Sequence, residues 1–549
     1  MSGVFFTKQL KHCIPEAIKT VATLWFFVVM PASVYLFYVD LPFHNLWVYD
    51  FFYESKFTII FLHVVLLIFF LKKATGKADR IVSLKDPLNR RYSELFLGLI
   101  NEELHSIFSN RNNLPIGDPG IFIGDIPSRS AMMTPHIDPS LLYTPTSIYA
   151  TSSDRASVIG PPGTGKTTFM INQIFKWSDT GNSLIAIDIK PEIEKITRKR
   201  LEDAGYKILV FNPSNHKDVY NMLDDLKESE AIAELAASII PTTGESDNAV
   251  FTESARDLLD ALVRHVKTVD PNASLPALVD FLSEFENTKD ILDTLAKSPS
   301  KDAQSITKSI KMMSGSERLL ASIFATMLAN LRFLRFTNAR KSLGRNGFSL
   351  HDLQAGKVAL FIQFEEKDRA HFALFFSVFV GHVLRFFIQH HEDRNPILLL
   401  LDEIGTAETV HDLKGKLNTI RSRKLPTWLY WQSKEQMQKY GQKANEGPNI
   451  ILGACDVQIV FRLNDNETAQ WFSERVGKID RTREICSTSR TSGRDSESST
   501  ASTVYQIERD NWIDGSDLMQ LPDGDALFLY KGIAWIGRAT PFYENGDNV

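Results

Sequence analysis

The chain has 549 residues, of which 44% are hydrophobic and 23% charged, with a formal net charge of −5. That length predicts about two to four domains with a large core. The negative balance excludes a globally basic nucleic-acid binder, so any nucleic acid must be held by local patches or a pore. The scattered Cys13, Cys455 and Cys486 exclude a disulfide framework or a cysteine-based metal site and suit a reducing compartment.

The first 80 residues depart from this composition. Thr20 to Val39 carries no charge, and about 20 apolar residues are enough to span a bilayer. A second apolar run, Phe57 to Leu71, is shorter, but the aromatic stretch Trp47 to Tyr53 extends it through the interface. Asp40, Asp50, Glu54 and Lys56 lie between the runs. Lys8, Lys11 and Lys19 precede them, and Lys72, Lys73, Lys77 and Arg80 follow. The positive-inside rule therefore predicts a membrane hairpin over 1–80, in contact with lipid and with both ends cytoplasmic. A cleaved signal peptide fits less well, because it would export the phosphate-binding motif described next away from ATP.

Residues 81–150 are rich in turn signals and read as a connecting region. After them comes VIGPPGTGKTTFM, with the spacing Gly160-x-x-x-x-Gly165-Lys166-Thr167 of a phosphate-binding loop. The expected nucleotide-binding residues are Gly160, Pro161, Pro162, Gly163, Thr164, Gly165, Lys166, Thr167 and Thr168. Glycines let the backbone turn tightly and aim N–H groups at phosphate oxygens. Lys166 would reach the β- and γ-phosphates of ATP, and the Thr167 hydroxyl would ligate Mg²⁺. The β-branched run before the loop is strand-like, and Phe169, Ile171, Ile174 and Phe175 after it have roughly helical spacing. Strand runs follow at 183–188 and 207–212, with a helical stretch between them, so a parallel sheet is expected.

From about 225 to 335 strand-like runs almost vanish, and segments such as TESARDLLDALVRHV have helical periodicity. This predicts an all-α domain inserted into an α/β domain, with the nucleotide-binding parts at 81–224 and 336–549. Strands resume at 358–364, 397–403, 427–432, 457–463 and 525–530. The Ser/Thr-rich segment 487–503 reads as a mobile loop.

The run ILLLLDE ends in Asp402-Glu403. A buried strand that delivers two carboxylates at its end suits the second nucleotide motif. Asp402 would hold Mg²⁺ and Glu403 would orient or deprotonate the attacking water. Gln432 closes a further apolar strand and is placed to sense the γ-phosphate. Arg421 is a candidate arginine finger acting across a subunit interface, with Arg423 beside it. The basic clusters Arg198-Lys199-Arg200 and Arg421–Lys424 read first as solvated faces.

These residues in this order resemble the type IV secretion system coupling proteins, the TraG/TraD-like membrane-anchored ATPases of bacterial conjugation. The resemblance rests on two apolar spans before VIGPPGTGKTT, then Asp188-x-Lys190-x-Glu192, the helical stretch and ILLLLDEIG. It continues through RSRKLPTWLYWQSKEQMQKYG, LNDNETAQWFSERVG and the closing LPDGDALFLYKG…PFYEN. Two departures are Pro191, where the family usually has Gly, and Asn221-Met222, where it has Asn-Pro; neither touches the phosphate chemistry. The resemblance implies a RecA-like P-loop motor domain of α/β class with an inserted all-α domain and a two-helix transmembrane anchor. It implies a homo-hexamer in the bacterial inner membrane, with the ATPase domain and both termini cytoplasmic. It further implies ATP-driven movement of single-stranded DNA, with its attached relaxase, into the inner-membrane proteins of the secretion channel. Three alternatives remain: a receptor for protein effectors, a duplex-DNA translocase, and a non-motor scaffold. The intact Lys166, Thr167, Asp402 and Glu403 argue against the scaffold.

Overall fold

Apolar runs that alternate with helices can bury both faces of a strand only in a parallel sheet covered on each side. The computed structural model of the chain shows such a sheet. It describes residue 114 and residues 118–126, 146–241, 249–313, 317–392, 394–406, 408–493 and 496–545. All of them belong to one unit, Leu99–Val549. The expected membrane hairpin at 1–80 lies outside the described residues.

The strands are β1 (Ile121–Ile126), β2 (Thr146–Ala150), β3 (Ala156–Ile159), β4 (Leu184–Ile187), β5 (Lys207–Phe211), β6 (Val358–Ile362), β7 (Leu398–Leu401), β8 (Thr427–Trp431), β9 (Val457–Phe461), β10 (Lys478–Gly493), β11 (Ser496–Asn511), β12 (Asp525–Tyr530) and β13 (Ile533–Arg538). Among the described residues, eleven form one mixed sheet in the order β2-β1-β13-β12-β9-β3-β8-β7-β4-β6-β5. The seven strands from β9 to β5 run parallel. The four from β2 to β12 are antiparallel additions at one side. Every residue of β3, β4, β6, β7, β8 and β9 is buried.

Helix α1 (Lys166–Ser178) follows β3, and α2 (Ile193–Asp203) follows β4. Phe169 of α1 packs on Phe122, Trp428 and Phe461, which fixes the helix across β1, β8 and β9. Between β5 and β6 come α3 (Ser229–Ile239), α4 (Ala249–Val269), α5 (Leu275–Ser283), α6 (Thr288–Leu295), α7 (Lys301–Met313), α8 (Glu317–Asn330) and α9 (Thr337–Ser342). In α4, Leu258, Leu259, Leu262, Val263 and Val266 are buried at three- and four-residue steps. The buried Arg264 of α4 donates to Asp302 of α7 at 3.0 Å and to the Ser229 carbonyl of α3 at 2.9 Å. A guanidinium with this many acceptors can be buried without an orphaned charge. Asn221, at one of the departures from the family pattern, donates to the Ala273 carbonyl at 3.0 Å and so ties the start of the helical stretch to its interior.

Helix α10 (Arg369–Gln389) is apolar enough, over 21 residues, to cross a membrane by composition, but 72% of its most apolar window is buried within the protein. Its Phe379 stacks on Phe211 of β5 at 4.9 Å with the ring planes nearly parallel, and meets Tyr220 edge-on at 5.4 Å. An interior helix needs apolar residues all round, so its composition imitates a span.

Two expectations are corrected. In the segment read as a mobile loop, residues 487–493 and 496–503 lie within the antiparallel ladder of β10 and β11, which runs from Lys478 opposite Asn511 to Gly493 opposite Ser496. The segment's serines suggest a loop, but Thr488, Thr491, Thr500 and Thr503 recur through it, and threonine favours strands. Residues 81–150, read as a connection, contain β1 and β2, which close one side of the main sheet. Both are short, and β1 is interrupted by Gly124 and Asp125, which hides them in a local reading.

The stacked pair Phe211–Phe379 yields a test. Phe379→Ala should destabilise the unit by about 3–5 kcal/mol in denaturant unfolding, through lost transfer energy and a cavity. A loss below about 1 kcal/mol would mean that the ring is not packed as described.

Candidate functional site

The carboxyl ends of adjacent parallel strands converge on one crevice, and loops that leave them can share a ligand. Here the loop Gly160–Gly165 leaves β3, Asp402 and Glu403 leave β7, Gln432 leaves β8 and Asp188 leaves β4. All four loops line a cavity of about 460 Å³. The backbone N–H of Gly160 donates to the Trp431 carbonyl at 3.1 Å, which pins the loop to the end of β8.

The loop conformation explains its glycines. Gly163 has φ of 80° and Gly165 has φ of 104°, in the left-handed region where a side chain is disfavoured. A Cβ on Gly160 would lie 2.8 Å from Phe461 Cβ and from Thr164 Oγ1, so a side chain has no room there. Gly165 precedes α1 without a side-chain cap. The first N–H groups of α1 therefore face the cavity with no side chain of their own to bind, which suits an anion. Lys166 Nζ donates to the carbonyls of Gly160 and Pro161, the latter at 2.9 Å. Its ammonium curls back over the loop, where phosphate oxygens would otherwise be neutralised. Desolvation lowers the Lys166 pKa, opposed by the charges of Asp402 and Glu403. Thr167 and Thr168 also line the cavity, and the Thr168 hydroxyl donates to the Gly165 carbonyl at 2.8 Å.

The opposite wall is acidic. Burial pushes the Asp402 carboxyl up to about 7, with the Glu403 carboxylate adding to the shift and Lys166 opposing it. A bound cation would reverse this shift, so the donor set fits Mg²⁺: a desolvated carboxyl on one side and the Thr167 hydroxyl on the other. Glu403 has φ of 48°, left-handed for a residue with a side chain. Such a conformation persists only where its surroundings hold it. The Glu403 N–H donates to Asp402 Oδ1 at 3.0 Å, and Gln432 Nε2 donates to Glu403 Oε1 at 3.3 Å. Gln432 and Glu403 therefore meet across 29 residues of sequence.

Arg421 is not at this cavity. It follows α11 (Leu413–Ile420), and its exposed guanidinium lies 3.7 Å from Asp456, just before β9. Arg155, just before β3, also binds Asp456, at 3.0 Å. This charge cluster is at the amino ends of strands whose carboxyl ends carry the loop. In the other basic cluster, Arg198 pairs with Glu194 and Glu202, and Arg200 stacks on Phe175 at 4.7 Å. Both arginines are used within the fold.

One wall of the cavity was not read from the sequence. Asp523, Gly524, Arg538, Pro541 and Tyr543 line it, about 360 residues beyond the loop. The motif LPDGDALFLYKG…PFYEN contains most of them, but nothing local assigns it to a site.

The fold is that of an α/β protein of the RecA-like class, with a mixed sheet whose parallel strands end at the cavity. A model of the family described as type IV secretory system conjugative DNA transfer matches residues 133–543, and the chain belongs to that family. The conjugal transfer protein TraG of Rhizobium radiobacter is 23% identical over 400 residues, covering 69% of this chain and 60% of TraG. Protein VirD4 of Agrobacterium fabrum strain C58 is 24% identical over 312 residues, covering 54% of this chain and 45% of VirD4. The chain thus spans about half the length of these curated relatives. Among solved structures, the bacterial conjugative coupling protein TrwBdeltaN70, unbound, aligns with a TM-score of 0.54 at 14% identity, over 72% of this chain and 86% of that one. TrwB in complex with ADP and Mg²⁺ aligns with a TM-score of 0.52 at 15% identity, over 77% and 94%. These structures share the fold.

Asp188 gives a pH test. Its carboxylate accepts the N–H groups of Glu192, Ile193 and Glu194, yet burial raises its pKa from 3.8 to about 6. A raised pKa means that folding favours the protonated form. Its stabilising contribution is full below 3.8 and is lost as pH rises through about 6. In Asp188→Asn that titration is absent. The stability difference, wild type minus variant, should therefore rise by roughly 2–3 kcal/mol from about pH 6.5 to about pH 4. A difference that does not change with pH would refute the raised pKa.

Proposed function

We propose that this chain is a membrane-anchored ATPase that couples a relaxase–single-stranded DNA complex to a type IV secretion channel and drives DNA transfer. The observation that carries the proposal is the meeting of the loop Gly160–Thr168 with Asp402, Glu403 and Gln432 in one cavity. Membership of the conjugative DNA transfer family supplies the process. The ADP and Mg²⁺ held by TrwB, and the non-hydrolysable ATP analogue it also binds, support the ligands assigned here.

In this proposal the loop N–H groups and Lys166 bind the phosphate chain, and Lys166 exchanges its carbonyl contacts for phosphate oxygens. Thr167 and Asp402 hold Mg²⁺, which when bound supplies positive charge to the phosphate oxygens. Glu403 takes the proton of the attacking water as its oxygen bonds to the γ-phosphorus and the bond to the leaving diphosphate breaks. Gln432 holds the Glu403 carboxylate in position and senses whether the γ-phosphate is there. Arg421 lies away from its own cavity, so any nucleotide it serves belongs to a neighbouring subunit of a homo-hexameric ring. The hairpin 1–80 anchors that ring in the inner membrane. The helical stretch 225–335 acts as an inserted domain that selects the cargo.

ATP turnover by the full-length protein in detergent, with and without single-stranded and duplex DNA, tests the reading. Lys166→Ala and Glu403→Gln should each lower turnover at least about a hundredfold, and Glu403→Gln should still bind ATP. Single-stranded DNA should stimulate the wild type more than duplex. Stimulation by duplex alone would favour a duplex translocase. Full turnover in Lys166→Ala would remove the site assignment.

A further inference from the structure

We propose that Tyr543 is the nucleobase-stacking residue of the site and that the carboxyl-terminal wall around it holds the nucleoside. The inference rests on the nucleotide-site reading above and extends it to a part of the ligand not yet assigned.

Sheet order sets the direction of the bound chain. The phosphate loop leaves β3, which lies between β8 and β9. On the β8 side come Gln432, Asp402 and Glu403, the groups assigned to the γ-phosphate end. A phosphate chain that runs toward them must leave its nucleoside on the other side, toward β9, β12 and β13. That side carries Asp523, Gly524, Arg538, Pro541 and Tyr543. The two regions touch: a methyl on Gly165 would lie 3.9 Å from Gly524 Cα.

The wall is built to hold one aromatic ring rigidly in the open. Phe542 meets Phe175 of α1 edge-on at 5.8 Å, so the residue before Tyr543 is anchored on the phosphate-loop helix. Glu544, the residue after it, accepts from Arg538 Nε at 3.0 Å, and Arg538 Nη1 also donates to Asp525 at 3.1 Å. Pro541 is buried. Between these ties Tyr543 keeps 60% of its surface exposed while lining the cavity. A large aromatic side chain left in water at a cavity mouth, on a backbone fixed at both neighbours, is preorganised for a planar ligand. Every base offers a π-face, so stacking here would accept adenine and guanine alike.

The test uses the full-length protein in detergent and three probes: ATP, GTP and inorganic tripolyphosphate, which has no base. Tyr543→Ala should weaken ATP and GTP binding roughly tenfold, leave tripolyphosphate binding unchanged, and raise KM with little change in kcat. Tyr543→Phe should bind ATP as the wild type does, because it keeps the ring. Equal ATP binding in wild type and Tyr543→Ala overturns the inference, as does an equal loss of ATP and tripolyphosphate, which would show a merely structural role. If the wild type binds neither ATP nor tripolyphosphate, the nucleotide-site reading itself falls, and that outcome is distinct from the other two.

Discussion

Parallel pairing of β7, β8 and β3 is the constraint on which the site depends. Parallel strands send all their carboxyl ends the same way, so three loops far apart in sequence emerge side by side. The pairing is strong because the strands are apolar on both faces and are covered on both faces. Slipping β7 against its neighbours would move Asp402 and Glu403 along the strand direction, out of reach of Lys166 and Gln432. The energy that keeps the carboxylates in place is therefore hydrophobic burial several residues away from them.

The cavity itself is electrostatically unfinished. Burial works against the charge of Lys166, and it works against the charge of Asp402, which is further disfavoured by Glu403. The α1 N-terminus adds uncapped N–H groups. A polyanion with a divalent cation would answer all three conditions together: phosphates for Lys166 and the helix end, metal for Asp402. The left-handed backbone at Glu403 and its bond from Gln432 show that this carboxylate is held in place by the protein alone.

The helices between β5 and β6 reach the sheet through aromatic and polar contacts. Phe333, just after α8, packs on Phe375 of α10 at 5.0 Å, and α10, an interior helix that follows β6, meets β5 through Phe379 and Phe211. Within the stretch, Arg264 of α4 donates to Ser229 of α3 and to Asp302 of α7, so one guanidinium ties the three helices together.

The sequence by itself determined the phosphate loop, the acidic end of β7, the long helical stretch and the central parallel strands. In each case the determinant is local: a glycine spacing, an apolar run with its terminating carboxylates, or a hydrophobic period. Tertiary structure alone decided the rest. β1 and β2 are short, and they are defined by pairing: β1 on the edge of β13, and β2 on β1. The serine-rich β10 and β11 have little apolar pattern and are defined by pairing with each other. The bond between Gln432 and Glu403, the placing of Arg421 among Asp456 and Arg155, and the arrival of Tyr543 at the phosphate loop depend on strand order. Strand order is settled by which buried faces fit together across hundreds of residues, and no local window of sequence carries that information.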